Sequence, residues 1–255
     1  MVGVILKREQ LEKYLQEASP QSHISVLRHI AHLARRMDHT CLLPDATLHD
    51  VLRLADEAKH WNTAAVCIHP CWVPLVRSVL HGSGVKAATV VGFPFGSTTT
   101  RAKRAEAEAA ILNGAEELDM VLNIGALKSG EYERVESDIR GVAEVSKSAG
   151  VLLKVILETA YLTNEEKVEA CRRAERAGAH YVKTSTGFGP SGATAADVRL
   201  MRAAVGPGVR VKAAGGIRTL DDALEMLRAS ASRIGTSSTV SILEEAQKLL
   251  TPAQA

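Results

Sequence analysis

From residue 36 onward, short runs of β-branched and other apolar residues alternate with longer segments whose apolar positions recur at helical spacing. The short runs predict strands at Met37–Leu42, Ala64–His69, Lys86–Gly92, Glu117–Ile124, Val151–Glu158, His180–Thr184, Arg210–Ala214 and Ser232–Gly235. Each run ends in polar or glycine residues, which mark turns. The longer segments predict helices at Thr47–His60, Thr99–Asn113, Tyr132–Ser148, Asn164–Ala177, Ala193–Val205 and Leu220–Leu227. Their ends carry cap chemistry. Thr163-Asn164-Glu165-Glu166 sets side-chain oxygens and acids at a helix start, and Gly178 follows the last turn. Thr219-Leu220-Asp221-Asp222 repeats the start signal, and Asn113-Gly114 and Gly150 sit where helices should stop.

Strand–helix alternation at this spacing requires parallel strands joined by helical crossovers. Eight such units predict an α/β fold closed into a (β/α)8 TIM barrel. An open doubly wound sheet is the alternative, because both folds are written in the same alternation. No Gly-x-Gly-x-x-Gly follows the first strand, which weighs against the dinucleotide-binding form of that alternative. Residues 1–35 lie outside the repeat. Glu9–Glu17 and His23–Arg35 read as two helices parted near Ser19-Pro20, placed to cap the barrel bottom or support a subunit contact. The expected division is an N-terminal helical extension over 1–35 and a barrel domain over 36–255.

Composition narrows the class. The chain has 255 residues, 46% hydrophobic and 24% charged, as in an ordinary globular protein. A fold of that length buries roughly 70–75% of the surface its unfolded chain exposes, so no staple is required. A formal charge of +2 lacks the basic excess of a general nucleic-acid binder, so no such partner is expected. The apolar run at the N-terminus is too short for a signal-peptide core, and no segment has the length of a membrane span. A cytoplasmic protein without a membrane partner is the expectation. Cys41, Cys67, Cys71 and Cys171 form no dense disulfide framework. Cys67, His69 and Cys71 could suggest zinc, but one C-x3-C pair without a second downstream is a poor match to zinc spacing. The plainer reading is a strand-end cysteine followed by the lead into a helix, with no metal.

Polar residues inside the strands carry the chemistry. Side chains alternate faces along a strand. In Val151–Glu158 the apolar set Val151, Leu153, Val155 and Leu157 belongs under the helices, which turns Leu152, Lys154, Ile156 and Glu158 inward. In Glu117–Ile124 the inward set is Glu117, Asp119, Val121 and Asn123. The same parity sends Lys183 and Lys212 inward from the sixth and seventh strands, near the ends where barrel active sites lie. Lysines are almost never fully buried without a partner. An internal ion-pair network, in which Asp119, Glu117 and Glu158 neutralise the lysines, would explain the pattern without any reaction. Convergence of three lysines at a barrel mouth also suits amine chemistry. A free lysine titrates near about 10.4, and a second ammonium about 5 Å away costs about 3 kcal/mol at an effective dielectric near 20, lowering that value by roughly two units. A lysine pair on neighbouring strands is what a neutral, nucleophilic amine requires. Parity alone does not say which lysine attacks.

Three glycine-rich segments fall at late strand ends: Thr184-Ser185-Thr186-Gly187-Phe188-Gly189, Ala214-Gly215-Gly216-Ile217-Arg218 and Gly235-Thr236-Ser237-Ser238. Glycine lets backbone N–H groups approach an anion, and barrel phosphate sites commonly use the loops after strands seven and eight. Tight βα turns favour the same residues, so that reading stands beside it.

Several of these segments together resemble the deoxyribose-phosphate aldolase family. Tyr181-Val182-Lys183-Thr184-Ser185-Thr186-Gly187-Phe188 is similar to its Schiff-base strand. Val211-Lys212-Ala213-Ala214-Gly215-Gly216-Ile217-Arg218 resembles its second-lysine strand, and Glu117 to Gly125 its acid-bearing strand. Asp38-His39-Thr40, Cys67-Ile68-His69-Pro70, Val91 to Gly96 and Leu153 to Thr159 fit further family segments in unbroken order. The resemblance implies a cofactor-free class I aldolase that reversibly cleaves 2-deoxy-D-ribose 5-phosphate to D-glyceraldehyde 3-phosphate and acetaldehyde. It implies Lys183 as nucleophile, Lys212 as the residue that tunes it, and Asp119 as acid–base partner of Lys212 through water. By the same resemblance Gly187, Gly215, Gly216, Gly235, Ser237 and Ser238 form the phosphate pocket. Asp38, Thr40 and Thr184 orient substrate, and Lys154 shapes the electrostatics of the substrate site. A homo-oligomer, dimer or tetramer, is implied as well. Some relatives end in a tyrosine that reaches the active site, whereas this chain ends Thr251-Pro252-Ala253-Gln254-Ala255. The rival readings are a Schiff-base aldolase for another phosphosugar, a metal-dependent aldolase using His39 and His69, and a non-catalytic phosphosugar-binding barrel.

Overall fold

The computed structural model describes residues 29–250. The expected helix Glu9–Glu17, the start of His23–Arg35 and the last five residues lie outside it; residues 29–34 are helical. Eight strands follow: β1 (Met37–Thr40), β2 (Ala65–Ile68), β3 (Lys86–Val91), β4 (Glu117–Val121), β5 (Leu152–Ile156), β6 (Tyr181–Lys183), β7 (Arg210–Ala214) and β8 (Arg233–Thr236). Each pairs in parallel with the next, and β8 returns to pair with β1 through Asp38 opposite Gly235. That last pairing closes the (β/α)8 barrel and removes the open-sheet alternative.

The helices are α1 (Leu48–Trp61), α2 (Val73–Val79), α3 (Thr100–Leu112), α4 (Ile124–Lys128), α5 (Tyr132–Ser148), α6 (Asn164–Ala177), α7 (Ala195–Ala204), α8 (Leu220–Arg228) and α9 (Thr239–Leu250). Capping boxes start α1 at Thr47 and Asp50, α6 at Thr163 and Glu166, and α8 at Thr219 and Asp222. Each box satisfies two backbone donors that a helix start leaves unpaired. The left-handed Gly178 ends α6, as the sequence predicts. Helices α2, α4 and α9 are additions to the elements read from the sequence.

Among the strands that end earlier than their apolar patterns suggest, β4 and β5 bear on the interior. β4 stops at Val121, because Asn123 accepts a hydrogen bond from the Ala126 amide and so caps α4. β5 stops at Ile156, and Glu158 takes a left-handed conformation with φ 56° beyond it. Neither residue is an inward strand position. Glu158 therefore does not neutralise the interior lysines; it accepts hydrogen bonds from the amide and hydroxyl of Thr186.

The main core lies between barrel and helices. Val66, Leu118, Met120, Leu153, Val155, Val182, Val211 and Ile234 meet helix residues such as Val51, Val76, Ile139, Val198 and Ile242 there. Full burial of each such side chain contributes about 1.5–3 kcal/mol. The barrel interior is divided. Ala65, Cys67, Ala88 and Val90 make its β2–β3 side small and apolar. The opposite side, from β4 round to β1, is filled by charge.

Candidate active site

Strand parity delivers seven charged side chains to that interior: Asp38 from β1, Glu117 and Asp119 from β4, Lys154 from β5, Lys183 from β6, Lys212 from β7 and Arg233 from β8. Asp119 is the hub. Its Oδ1 accepts from Lys154 at 2.6 Å, and its Oδ2 accepts from both Lys183 and Lys212 at 2.8 Å. The amines of β6 and β7 thus share one oxygen atom. Lys212 also donates to Asp38 at 2.5 Å. Lys154 also reaches Glu117 at 2.6 Å and Asp38 at 3.7 Å. Arg233 donates to Asp38 at 2.6 Å and reaches Glu117 at 3.3 Å, with its guanidinium over the Tyr181 ring.

Three carboxylates therefore face four cationic side chains, and Lys183 is the least well served. Burial pushes the Lys183 pKa down; the Asp119 carboxylate resists, but the Lys212 ammonium adds to the lowering. Burial acts the same way on Lys212 and Lys154, yet Asp119 and Asp38 raise the first, and Asp119, Glu117 and Asp38 carry the second well above the lysine range. Burial would raise the two aspartates. The three lysines overcome it at Asp119, and Lys212, Arg233 and Lys154 overcome it at Asp38, so both stay ionised. The cation that loses its proton first is Lys183. Burial comes before Lys212 among the causes, so the neighbouring ammonium shares the tuning with desolvation.

Access makes the same choice. A cavity of about 420 Å³ opens at the C-terminal ends of β1, β6, β7 and β8, and Lys183 is on its wall while Lys154 and Lys212 are fully buried behind it. Of the three interior amines, Lys183 is the one placed on the cavity wall, within reach of a small molecule.

The cavity's other side is built from loops. Gly187, Gly215, Gly216, Gly235, Ser237 and Thr40 line it, together with Thr186, Thr236, Phe188 and Arg218. Among the described residues, its wall holds two cations, Lys183 and Arg218, and no carboxylate. That balance suits a phosphate. Arg218 was quoted in the β7 loop but not singled out from sequence. Gly215, at φ 87°, packs its Cα side against Gly192, a contact that a side chain would obstruct. Gly235 has a second reason to be glycine: a Cβ there would lie 2.9 Å from Lys212 Cε.

Four of the expected site residues stand elsewhere. Ser238 is off the cavity wall, and its amide donates to the Thr236 hydroxyl. Thr184 is buried, with its hydroxyl donating to the Ala214 carbonyl and accepting from the Ala214 amide, so it clamps β6 to β7. Asp38 and Lys154 are wholly buried ion-pair partners off the cavity wall, bonded to Lys212 and Asp119. Arg233 was missed, although it shares the inward parity of Gly235 within the predicted eighth strand.

Among the described residues, no three His, Cys, Asp or Glu side chains are placed to hold a metal ion. Cys67 faces the barrel interior, Cys71 is exposed, and His69 bonds the Leu42 carbonyl through Nε2. His39 points outward from β1 to Glu57 at 2.7 Å. No helix of the described residues is long and apolar enough to cross a membrane.

The arrangement has counterparts. A family model described as DeoC/LacD family aldolase matches residues 32–245. A deoxyribose-phosphate aldolase of Thermococcus kodakarensis is 55% identical over 216 residues, covering 84% of this chain and 96% of that protein. One from Thermoanaerobacter sp. is 53% identical over 218 residues, covering 85% and 98%. Among solved structures, the tetrameric deoxyribose phosphate aldolase of Aeropyrum pernix superposes with a TM-score of 0.81 at 33% identity, covering 91% of this chain and all of that one.

Proposed function

The chain belongs to the DeoC/LacD aldolase family, and from that premise we propose that it is a deoxyribose-phosphate aldolase whose nucleophile is Lys183. The reaction is the reversible cleavage of 2-deoxy-D-ribose 5-phosphate to D-glyceraldehyde 3-phosphate and acetaldehyde. One observation carries the assignment of the nucleophile: of three interior lysines bonded to one aspartate, only Lys183 lies on the cavity wall.

Neutral Lys183 Nζ adds to the C1 carbonyl, and the carbinolamine hydroxyl takes up a proton and leaves as water, giving an iminium. The C2–C3 bond then breaks, its electron pair moves into the iminium, and the C3 hydroxyl loses its proton. The enamine is protonated at C2, and hydrolysis releases acetaldehyde and the amine. Charge favours this sequence. With neutral Lys183, three cations match three carboxylates. The iminium adds a fourth positive charge, and the enamine removes it again. An interior that disfavours a surplus cation therefore favours the electron flow that breaks the C–C bond. Asp119 and Lys212 are the acid–base pair at the reacting nitrogen, working through water. The 5-phosphate belongs on the Gly187, Gly215, Gly216 and Gly235–Ser237 backbone, opposite Arg218.

Acetaldehyde with borohydride should leave a two-carbon adduct on Lys183, mapped by peptide mass and absent from Lys183→Ala. A stable adduct confined to another lysine would reassign the nucleophile. The four cysteines are unpaired, which supports a reducing, cytoplasmic setting. The tetrameric relative supports a homo-oligomer here, dimer or tetramer, measurable by sedimentation.

A further inference from the structure

The Schiff-base reading explains why Lys183 is accessible but leaves open what keeps it short of a counter-charge. Asp38 and Glu117 together carry two negative charges near the lysines. Unshared, they would balance Lys154 and Lys212 and leave Asp119 for Lys183. Arg233 prevents this. Its guanidinium takes Asp38 Oδ1 at 2.6 Å and sits within 3.5 Å of both Glu117 oxygens, on the far side from the cavity. We propose that Arg233 is a positioning residue for the amine chemistry: by drawing charge from Asp38 and Glu117 it leaves the interior one carboxylate short, and Lys183 is the group left over.

The inference rests on Lys183 being the nucleophile. Six strands besides β6 contribute to the field around Lys183. β1 supplies Asp38, β2 Cys67, β4 Glu117 and Asp119, β5 Lys154, β7 Lys212 and β8 Arg233. Two more cations stand at the exposed foot of the barrel, where water screens them. Lys86 of β3 is paired with Glu116 at 2.7 Å, and Arg210 of β7 lies over the Tyr181 ring. Arg233 differs from both because it is largely buried and bonded within the cluster, so its charge is felt there.

The test reads the rate at which acetaldehyde and cyanoborohydride ethylate Lys183 across pH, with the site mapped by peptide mass. Arg233→Met leaves three lysines facing three carboxylates, and Lys183 should hold its proton longer. The midpoint should rise by about one pH unit, the effect of one nearby charge at an effective dielectric near 20. Arg233→Lys should bring it back. Glu117→Gln removes a carboxylate instead and should move the midpoint down, and the Glu117→Gln, Arg233→Met double variant should return close to the parent. An unmoved midpoint in Arg233→Met, with only a lower rate, would assign Arg233 to packing and overturn the proposal. If that variant does not fold, Glu117→Gln decides alone, and an unmoved midpoint there overturns it equally. A parent enzyme without a Lys183 adduct would sink the Schiff-base reading and this inference with it. A parent adduct with unmoved variants sinks only the inference.

Discussion

Among the described residues, lysine is buried in two places, and only one of them opens to a cavity. Outside the barrel, Lys103 of α3 is fully buried and bonds Asp138 of α5 at 2.5 Å and the Val121 carbonyl at 2.9 Å. Thr100 donates to the other Asp138 oxygen. One cation meets one carboxylate, and both are buried. Inside the barrel, four cations share three carboxylates, and one of the four faces a cavity. Burial lowers the pKa of Lys103 and Lys183 alike, and a carboxylate opposes it in both. A depressed pKa therefore does not distinguish a structural lysine from a nucleophile. A surplus of cations and a route for the substrate do.

The comparison breaks most sharply at Lys183. Lys183→Met should lower kcat/KM by about 10³-fold or more while leaving the fold intact, because it removes the surplus cation and not a needed partner. Its melting temperature should stay level or rise. A clear loss of stability would show that Lys183 is a structural member of the network, like Lys103. Lys212→Leu should cost nearly as much activity for a different reason. It strips a partner from both Asp38 and Asp119, so Lys183 no longer shares Asp119 Oδ2 with a second ammonium. Ethylation of Lys183 should then begin at higher pH, and an unchanged profile would contradict the tuning role.

Lys103→Met makes the opposite prediction. Removing one member of a buried ion pair leaves an unpaired charge and costs about 3–5 kcal/mol. Stability in urea should fall by that order while the pH profile of Lys183 ethylation stays where it is. A shifted profile would couple the two regions through Val121, which Lys103 holds at the end of the Asp119 strand.

Acid separates stability from activity along the same line. The Asp38 and Asp119 pKa values lie below the ordinary carboxylate value in the folded state. Their contribution to stability is therefore present above the unfolded value near about 4 and is lost as pH falls below it toward the folded values. Activity should fail at a higher pH than that, as Lys183 is protonated. Coincident loss of fold and activity would remove the distinction between the ionised hub and the titrating amine.

Much of this was legible because a parallel strand is read two residues at a time. Parity placed Asp119, Lys154, Lys183 and Lys212 in one interior without coordinates. It could not choose among the lysines, because that depends on which amine faces the cavity and on how Asp38 and Arg233, 195 residues apart, pair across the β1–β8 seam. It failed at Asn123 and Glu158, where a cap and a left-handed turn end the strand while the residue pattern continues. Thr184 entered as a substrate contact through the family resemblance alone, and its hydroxyl bonds the Ala214 backbone of the next strand. Arg233 was readable and passed over, since a charge at the foot of a strand ordinarily belongs to solvent.

The smallest effect concerns what the open side of the interior is open to. Ser237 is exposed on the cavity wall, and α9 begins two residues later, so its backbone amides point the helix's positive end toward the cavity. Ser237→Asp puts a negative charge where the 5-phosphate is expected. The position is exposed, so stability should hold. KM for the phosphorylated sugar should rise about tenfold, roughly 1.4 kcal/mol, while turnover of unphosphorylated deoxyribose changes little. Equal losses on both substrates would move the phosphate elsewhere on the rim. They would leave the contrast between an accessible lysine and a sealed one standing, but without its explanation for what the access serves.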